Sequence, residues 1–188
     1  VGDGMGGGMY LYSSNPLLTN VTIANNTAEV YGGGMALFSG SNPTLTNSII
    51  WGNSPESIYL YWQNNETIAN SDIEGGWEGE GNINVDPLFT DPDNENYNLQ
   101  AGSPCIDAGT DFFVFEGDTL INMTPDEYFG SAPDMGAYEY CASLIYDSCG
   151  ICDGDNTTCT GCADPYAINF DVNNTIDDES CIYYISQD

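Results

Sequence analysis

The sequence predicts an all-β protein: a parallel β-helix, or solenoid, followed by a small, loop-rich module stapled by disulfides. Three observations point there. "GGGMYLYSSNPLLTN" from Gly6 is nearly repeated as "GGGMALFSGSNPTLTN" from Gly32, and weaker echoes follow in "SIYLYWQNNETIANSDIEGG". Inside each copy, apolar residues alternate at period two among Tyr, Thr and Asn, and no helical stripe is sustained. The cysteines are concentrated after residue 140.

A repeat in the twenties marks a solenoid. Gly6–Gly7–Gly8–Met9 matches Gly32–Gly33–Gly34–Met35, and Ser14–Asn15–Pro16 matches Ser41–Asn42–Pro43 one residue further along. Ile58–Tyr59–Leu60–Tyr61 and Ile68–Ala69–Asn70–Ser71 continue the series. Each copy therefore reads as one coil of short strands, rising by about 4.8 Å per coil. The triple glycines suit corners or close backbone approach. They are not a phosphate cradle, because no Lys or helix follows them. Asn20, Asn47 and Asn70 are expected to stack as a structural ladder, as are Asn26 and Asn53, with amides bonding along the axis. The coils are assigned to residues 1–74. A terminal β-helix segment with an irregular insert is assigned to 75–140, and the Cys-rich module to 141–188.

Charge narrows the function. The 188 residues include 29 acidic ones and no Lys, Arg or His, a formal charge of −29. No ion pair can form between side chains, so each carboxylate meets water, a neutral donor or a bound cation. Nucleic acid is excluded as a partner, since neutralising phosphate needs Lys or Arg. Anionic membrane surfaces are excluded likewise, and no apolar run is long enough to insert in a membrane.

The stretches "DPLF", "YNLQAGSPCIDAGT" and "DMGAYEY" resemble the end of secreted bacterial right-handed β-helix proteins of the choice-of-anchor Q type. The resemblance spans roughly residues 1–140 and implies a right-handed solenoid that closes before a surface-attachment region. One departure stands out. Such proteins usually carry an Arg before "DMGAYEY", where this chain reads "TPDEYFGSA". The tail, "DSCGICDGDNTTC" and "GCADPYAINFDVNNTIDDESC", resembles short Cys-rich units appended to bacterial surface proteins. It implies an extracellular or cell-surface location and no catalysis.

Cys149-x2-Cys152 and Cys159-x2-Cys162 could form a four-thiolate zinc site. An extracellular setting favours disulfides instead. Cys141, Cys149, Cys152, Cys159, Cys162 and Cys181 then make three bridges, Cys162–Cys181 among them, with the other pairings open. Cys105 is left as a buried thiol. "DVNNTIDDE" places Asp171, Asn173, Thr175, Asp177 and Glu179 at alternate positions, the early spacing of a calcium loop, without its usual Gly and closing Glu. No cofactor is required; Ca2+ is the candidate. "DPDNEN" reads as a hydrophilic turn.

No catalytic residues are assigned. Polysaccharide lyases of this architecture use Arg, Lys or His, and none is available. A glycosidase needs paired carboxylates, and no pair recurs on one face. The expectation is an extracellular structural protein, with itself as partner in a head-to-tail, Ca2+-assisted filament stacked through the open coil at Val1. The alternative is a surface adhesin or glycan-binding module using Tyr10, Tyr12, Tyr59, Tyr61 and Trp62.

Overall fold

Asn and Gly corners divide the first part of the chain into short strands that stack in threes. The computed structural model describes residues 4–62, 64–143, 160–171 and 174–182. Three coils are complete. The first holds β1 (Met9–Tyr12), β2 (Leu17–Thr19) and β3 (Thr22–Ala24). The second holds β4 (Met35–Phe38), β5 (Thr44–Thr46) and β6 (Ile49–Trp51). The third holds β7 (Ile58–Tyr61), β8 (Thr67–Ala69) and β9 (Asp72–Ile73). Equivalent strands form three parallel sheets, β1-β4-β7, β2-β5-β8 and β3-β6-β9. Their registers place Met9, Met35 and Ile58 in one column and Leu18, Leu45 and Ile68 in another. The parallel β-helix expected from the repeats is the fold of this region.

Alternation decides what is inside. Leu11, Ile23, Met35, Leu37, Leu45, Ile50, Ile68 and Ile73 form the buried core, with Met9, Leu18, Val21 and Ile58 packed against it. Full burial of such side chains is worth about 1.5–3 kcal/mol each. The change of repeat offset is absorbed at Gly40, an extra corner residue at φ 71°. Strand register is unaffected on either side of it.

The triple glycines are demanded by packing. Gly7 N donates to Gly32 O and Gly8 N to Gly33 O, each at 3.0 Å. A methyl group on Gly8 would lie 2.8 Å from both Gly34 O and Ile23 Cγ2, and one on Gly33 would collide with the Ser54 backbone.

The upper end of the solenoid is partly sealed. Trp77 packs on the core, Asn82 Nδ2 donates to Ile68 O at 2.8 Å, and Ile83 makes a parallel bridge to Asp72. At the lower end, β1, β2 and β3 have a strand on one side only among the described residues.

Two antiparallel hairpins follow. In the first, β10 (Phe89–Asp91) pairs with β11 (Asn96–Leu99) around a 3-10 turn at Pro92–Asn94. In the second, β12 (Phe112–Phe115) pairs with β13 (Asp118–Asn122). The stretch read as an irregular insert thus contains a hairpin, with a register shift between Phe113 and Val114 and a turn at Glu116–Gly117. Phe89, Leu99, Cys105 and Met135 make a second core over Ile49, on the outer side of β6.

The chain divides into two compact units, Val1–Tyr140 and Cys141–Asp188. In the second, β14 (Thr160–Gly161) pairs in parallel with β15 (Ile176–Asp177), and Cys162 is bonded to Cys181. Cys149, Cys152 and Cys159 lie outside the described residues.

The glycine corner gives a direct check. Gly33→Ala is expected to destabilise the protein by about 1–3 kcal/mol through overpacking, seen as a lower urea midpoint with unchanged slope. An unchanged midpoint would mean that the Ser54 backbone gives way freely.

Candidate functional site

The corner joining the first sheet to the second carries the most open polar chemistry of the solenoid. At each coil the chain leaves β1, β4 or β7 through a left-handed residue: Ser13, Ser39 and Trp62, at φ 48°, 55° and 59°. An Asn follows in every coil. Asn42 N donates to Asn15 Oδ1 at 2.9 Å, and Asn65 N donates to Asn42 Oδ1 at 2.7 Å. These bonds lock the side chains into a row along the axis. Among the described residues the Nδ2 groups of Asn15 and Asn42 make no hydrogen bond, which leaves their donors to solvent.

This row borders a cavity of about 320 Å³ lined by Asn15, Asn42, Thr44, Asn65, Thr67, Phe115 and Glu116. Thr44 is only 9% exposed, and what remains exposed faces this cavity. The hairpin β12–β13 supplies Phe115 and Glu116, the latter being the one carboxylate of the lining. The volume sits at the small end of the range for ligand pockets.

Beside this corner, the outer face of the first sheet carries aromatic rings. Tyr10 stacks on Phe38 at 5.1 Å and Phe38 on Tyr61 at 4.9 Å, while Tyr31 stacks on Tyr59 at 4.2 Å. Spacings so close to the coil rise mean that ring faces are spent on one another, leaving mostly edges outward. Trp62, 79% exposed at its left-handed corner, and Tyr12, 62% exposed, take part in none of these stacks.

A second polar cluster closes the terminal segment. Asp134 Oδ1 accepts from Asp107 N at 2.8 Å, and its Oδ2 accepts from Tyr140 N. Glu139 accepts from the Asp134 and Phe129 amides. Asp107 Oδ1 accepts from Ser131 N at 2.7 Å. Where the resemblance implies an Arg, backbone amides hold all three carboxylates. Nearby, the buried Cys105 thiol donates to Asp72 Oδ2 at 3.3 Å, while Val85 N donates to Asp72 Oδ1. Burial pushes the Cys105 thiol well up, helped by the Asp72 charge. Cys105 is a free, buried cysteine; such a thiol is structural rather than reactive.

The Asn20, Asn47 and Asn70 corners stack one per coil, all left-handed at φ 54°, 49° and 48°. Their amides do not bond to one another. Asn47 takes Thr110 instead, donating to its carbonyl and accepting from its amide, both at 2.8 Å. Asn20 Oδ1 is buried without a partner. The axial ladder runs elsewhere, because left-handed corners aim these side chains off the axis. Asn26 N and Nδ2 donate to Asn53 Oδ1 at 2.9 and 3.1 Å. Val21 N donates to Ser48 Oγ, Ser48 N to Ser71 Oγ and Ser71 N to Asn82 Oδ1.

Of the proposed calcium ligands, Asn173 lies outside the described residues. Asp177 Oδ1 accepts from Glu179 N at 3.0 Å, and Asp178 Oδ1 accepts from Ser180 N at 2.9 Å, which are local turn bonds. No cluster of three acidic, Cys or His side chains suited to a metal ion occurs among the described residues. Nor, among them, is any helix long and apolar enough to cross a membrane.

Residues 2–81 match the family model described as "right handed beta helix region". Its span ends where Trp77 and Asn82 seal the third coil. No curated protein and no solved structure matches the chain.

Burial raises the pKa of Asp72, Asp134 and Glu139, outweighing the hydrogen bonds that lower it. The folded chain therefore holds these protons more tightly than the unfolded one. The resulting stability is fully present below the ordinary carboxylate range, about pH 4, and is lost as pH rises through the raised values. The melting temperature is expected to climb as pH is lowered from about 8 to about 5, and Asp72→Asn should flatten that slope. A melting temperature that falls over this range would contradict the assignment.

Proposed function

We propose that the chain is an extracellular, non-catalytic β-helix module that binds a glycan in the corner groove between the first and second sheets. The observation that carries this reading is the row of amides and hydroxyls from Asn15, Asn42, Thr44, Asn65 and Thr67 that lines the cavity over three coils. Trp62, exposed at the same corner, and Phe115 are suited to stacking on sugar rings. The Cys162–Cys181 bond supports an oxidising location. Right-handed β-helix proteins include enzymes and non-enzymes. The single carboxylate of this groove supports binding, since hydrolysis by the usual route takes two.

The test is retention in affinity gels cast with soluble neutral polysaccharides. Thr44→Val, which keeps shape and removes the hydroxyl, is expected to weaken retention about three- to tenfold with an unchanged melting temperature. Free migration of the native protein through every neutral glycan would end the proposal.

A second reading is end-to-end assembly into a filament, favoured by the open edges of β1, β2 and β3. It takes second place because Trp77, Asn82 and Ile83 cover part of the other end of the coils. Electron microscopy with Ca2+ and after EDTA decides: ordered, Ca2+-promoted filaments support it, and dispersed particles in both conditions refute it.

A further inference from the structure

We infer that Glu116 is the specificity-determining residue of the groove, selecting neutral sugars with adjacent hydroxyl groups and rejecting uronates. This rests on the glycan-binding reading above.

The hairpin tip is unusual. Glu116 and Gly117 follow one another at φ 51° and 92°, the pattern of a two-residue turn that ordinarily takes Asn-Gly or Asp-Gly. A longer acidic side chain is a costly choice there. Glu95 and Glu179 share that left-handed conformation, at φ 61° and 66°, but Glu116 is exposed and makes no hydrogen bond among the described residues, although the carboxylates of Asp107, Asp134 and Glu139 all accept backbone amides. What Glu116 does have is a place over the cavity, beside Phe115 and opposite Asn42, Thr44 and Asn65. The hairpin itself is held by the register Phe112↔Asn122 to Phe115↔Asp118, so its tip is a supported position.

The chemistry of the lining is divided. The Asn amides and Thr hydroxyls can donate, and they meet ring, glycosidic and hydroxyl oxygens. Glu116 supplies the complementary group, an acceptor-only carboxylate whose two oxygens can take two neighbouring O–H donors. A uronate brings a second carboxylate into the same space, and this chain has no Lys or Arg to place between them. At physiological salt, charges more than about 8 Å away are largely screened, so the local carboxylate decides the selection rather than the overall charge.

The experiment measures affinity of the whole chain, native and as Glu116→Gln and Phe115→Ala, in gels containing soluble β-glucan, galactomannan, polygalacturonate or alginate at physiological salt. The native protein should be retarded by at least one neutral polymer and by neither uronate polymer. Glu116→Gln should weaken neutral binding about tenfold and narrow the gap between neutral and uronate polymers, with an unchanged melting temperature because the side chain holds nothing in the fold. Phe115→Ala should weaken all retention without changing the preference. Equal retention by uronate and neutral polymers, or a Glu116→Gln profile identical to the native one, overturns the role of Glu116 while leaving glycan binding standing. Absence of any retention removes glycan binding itself, and this inference with it.

Discussion

Every strand of the solenoid is completed by the coil above or below it, and that axial register is the constraint on which the rest depends. Strands of two to four residues cannot persist alone. They persist here because corner side chains continue the backbone ladder between strands: Ser14 N to Ser41 Oγ, Ser41 N to Asn64 Oδ1, and the series from Val21 through Ser48 and Ser71 to Asn82. Each corner residue satisfies an amide that would otherwise be orphaned. The last member of that series is also the cap, because Asn82 binds Ser71 and Ile68 together.

A chain without cations has to meet its buried carboxylates with neutral donors. Asp72 takes a thiol and an amide, Asp134 and Glu139 take amides only, and the exposed Asp107 takes amides as well. Each therefore fixes a particular stretch of backbone, which a flexible Lys or Arg partner would not do. The terminal segment is fastened to the coils by the same means. Gly136 N bonds Asn47 O, Ala137 N bonds Thr22 Oγ1, and Gly136 lies so close to Ile49 and Thr22 that any side chain there would clash. The groove follows the same logic with one difference, in that its amides and hydroxyls are left over after the fold is satisfied.

Much of the solenoid was legible because period-two alternation and the repeated Gly and Asn corners are local signals. Met9, Leu11, Leu18 and Ile23 turn inward as their alternation requires. The groove was not legible. Asn15 and Asn42 precede Pro and read as turn residues, and nothing local separates an amide spent on the backbone from one left free. Its other wall arrives from Phe115 and Glu116, far along the chain, and such pairings have no signature in one sequence. The hairpin carrying them did have a signal, alternating "FFVF" and "DTLIN" around a Gly, which was passed over as an insert. For Asn20, Asn47 and Asn70 the stacking could be read but the bonding could not, because the partner of Asn47 is Thr110.

The coils differ in length only at their corners, where Gly40 accommodates an added residue and the passage from β6 to β7 is shorter than that from β3 to β4. Strands act as fixed pegs and corners as slack between them. An inserted or deleted residue is therefore absorbed at a corner without moving the strands on either side, so the outer surface of a corner can change while the inward alternation of the strands is kept.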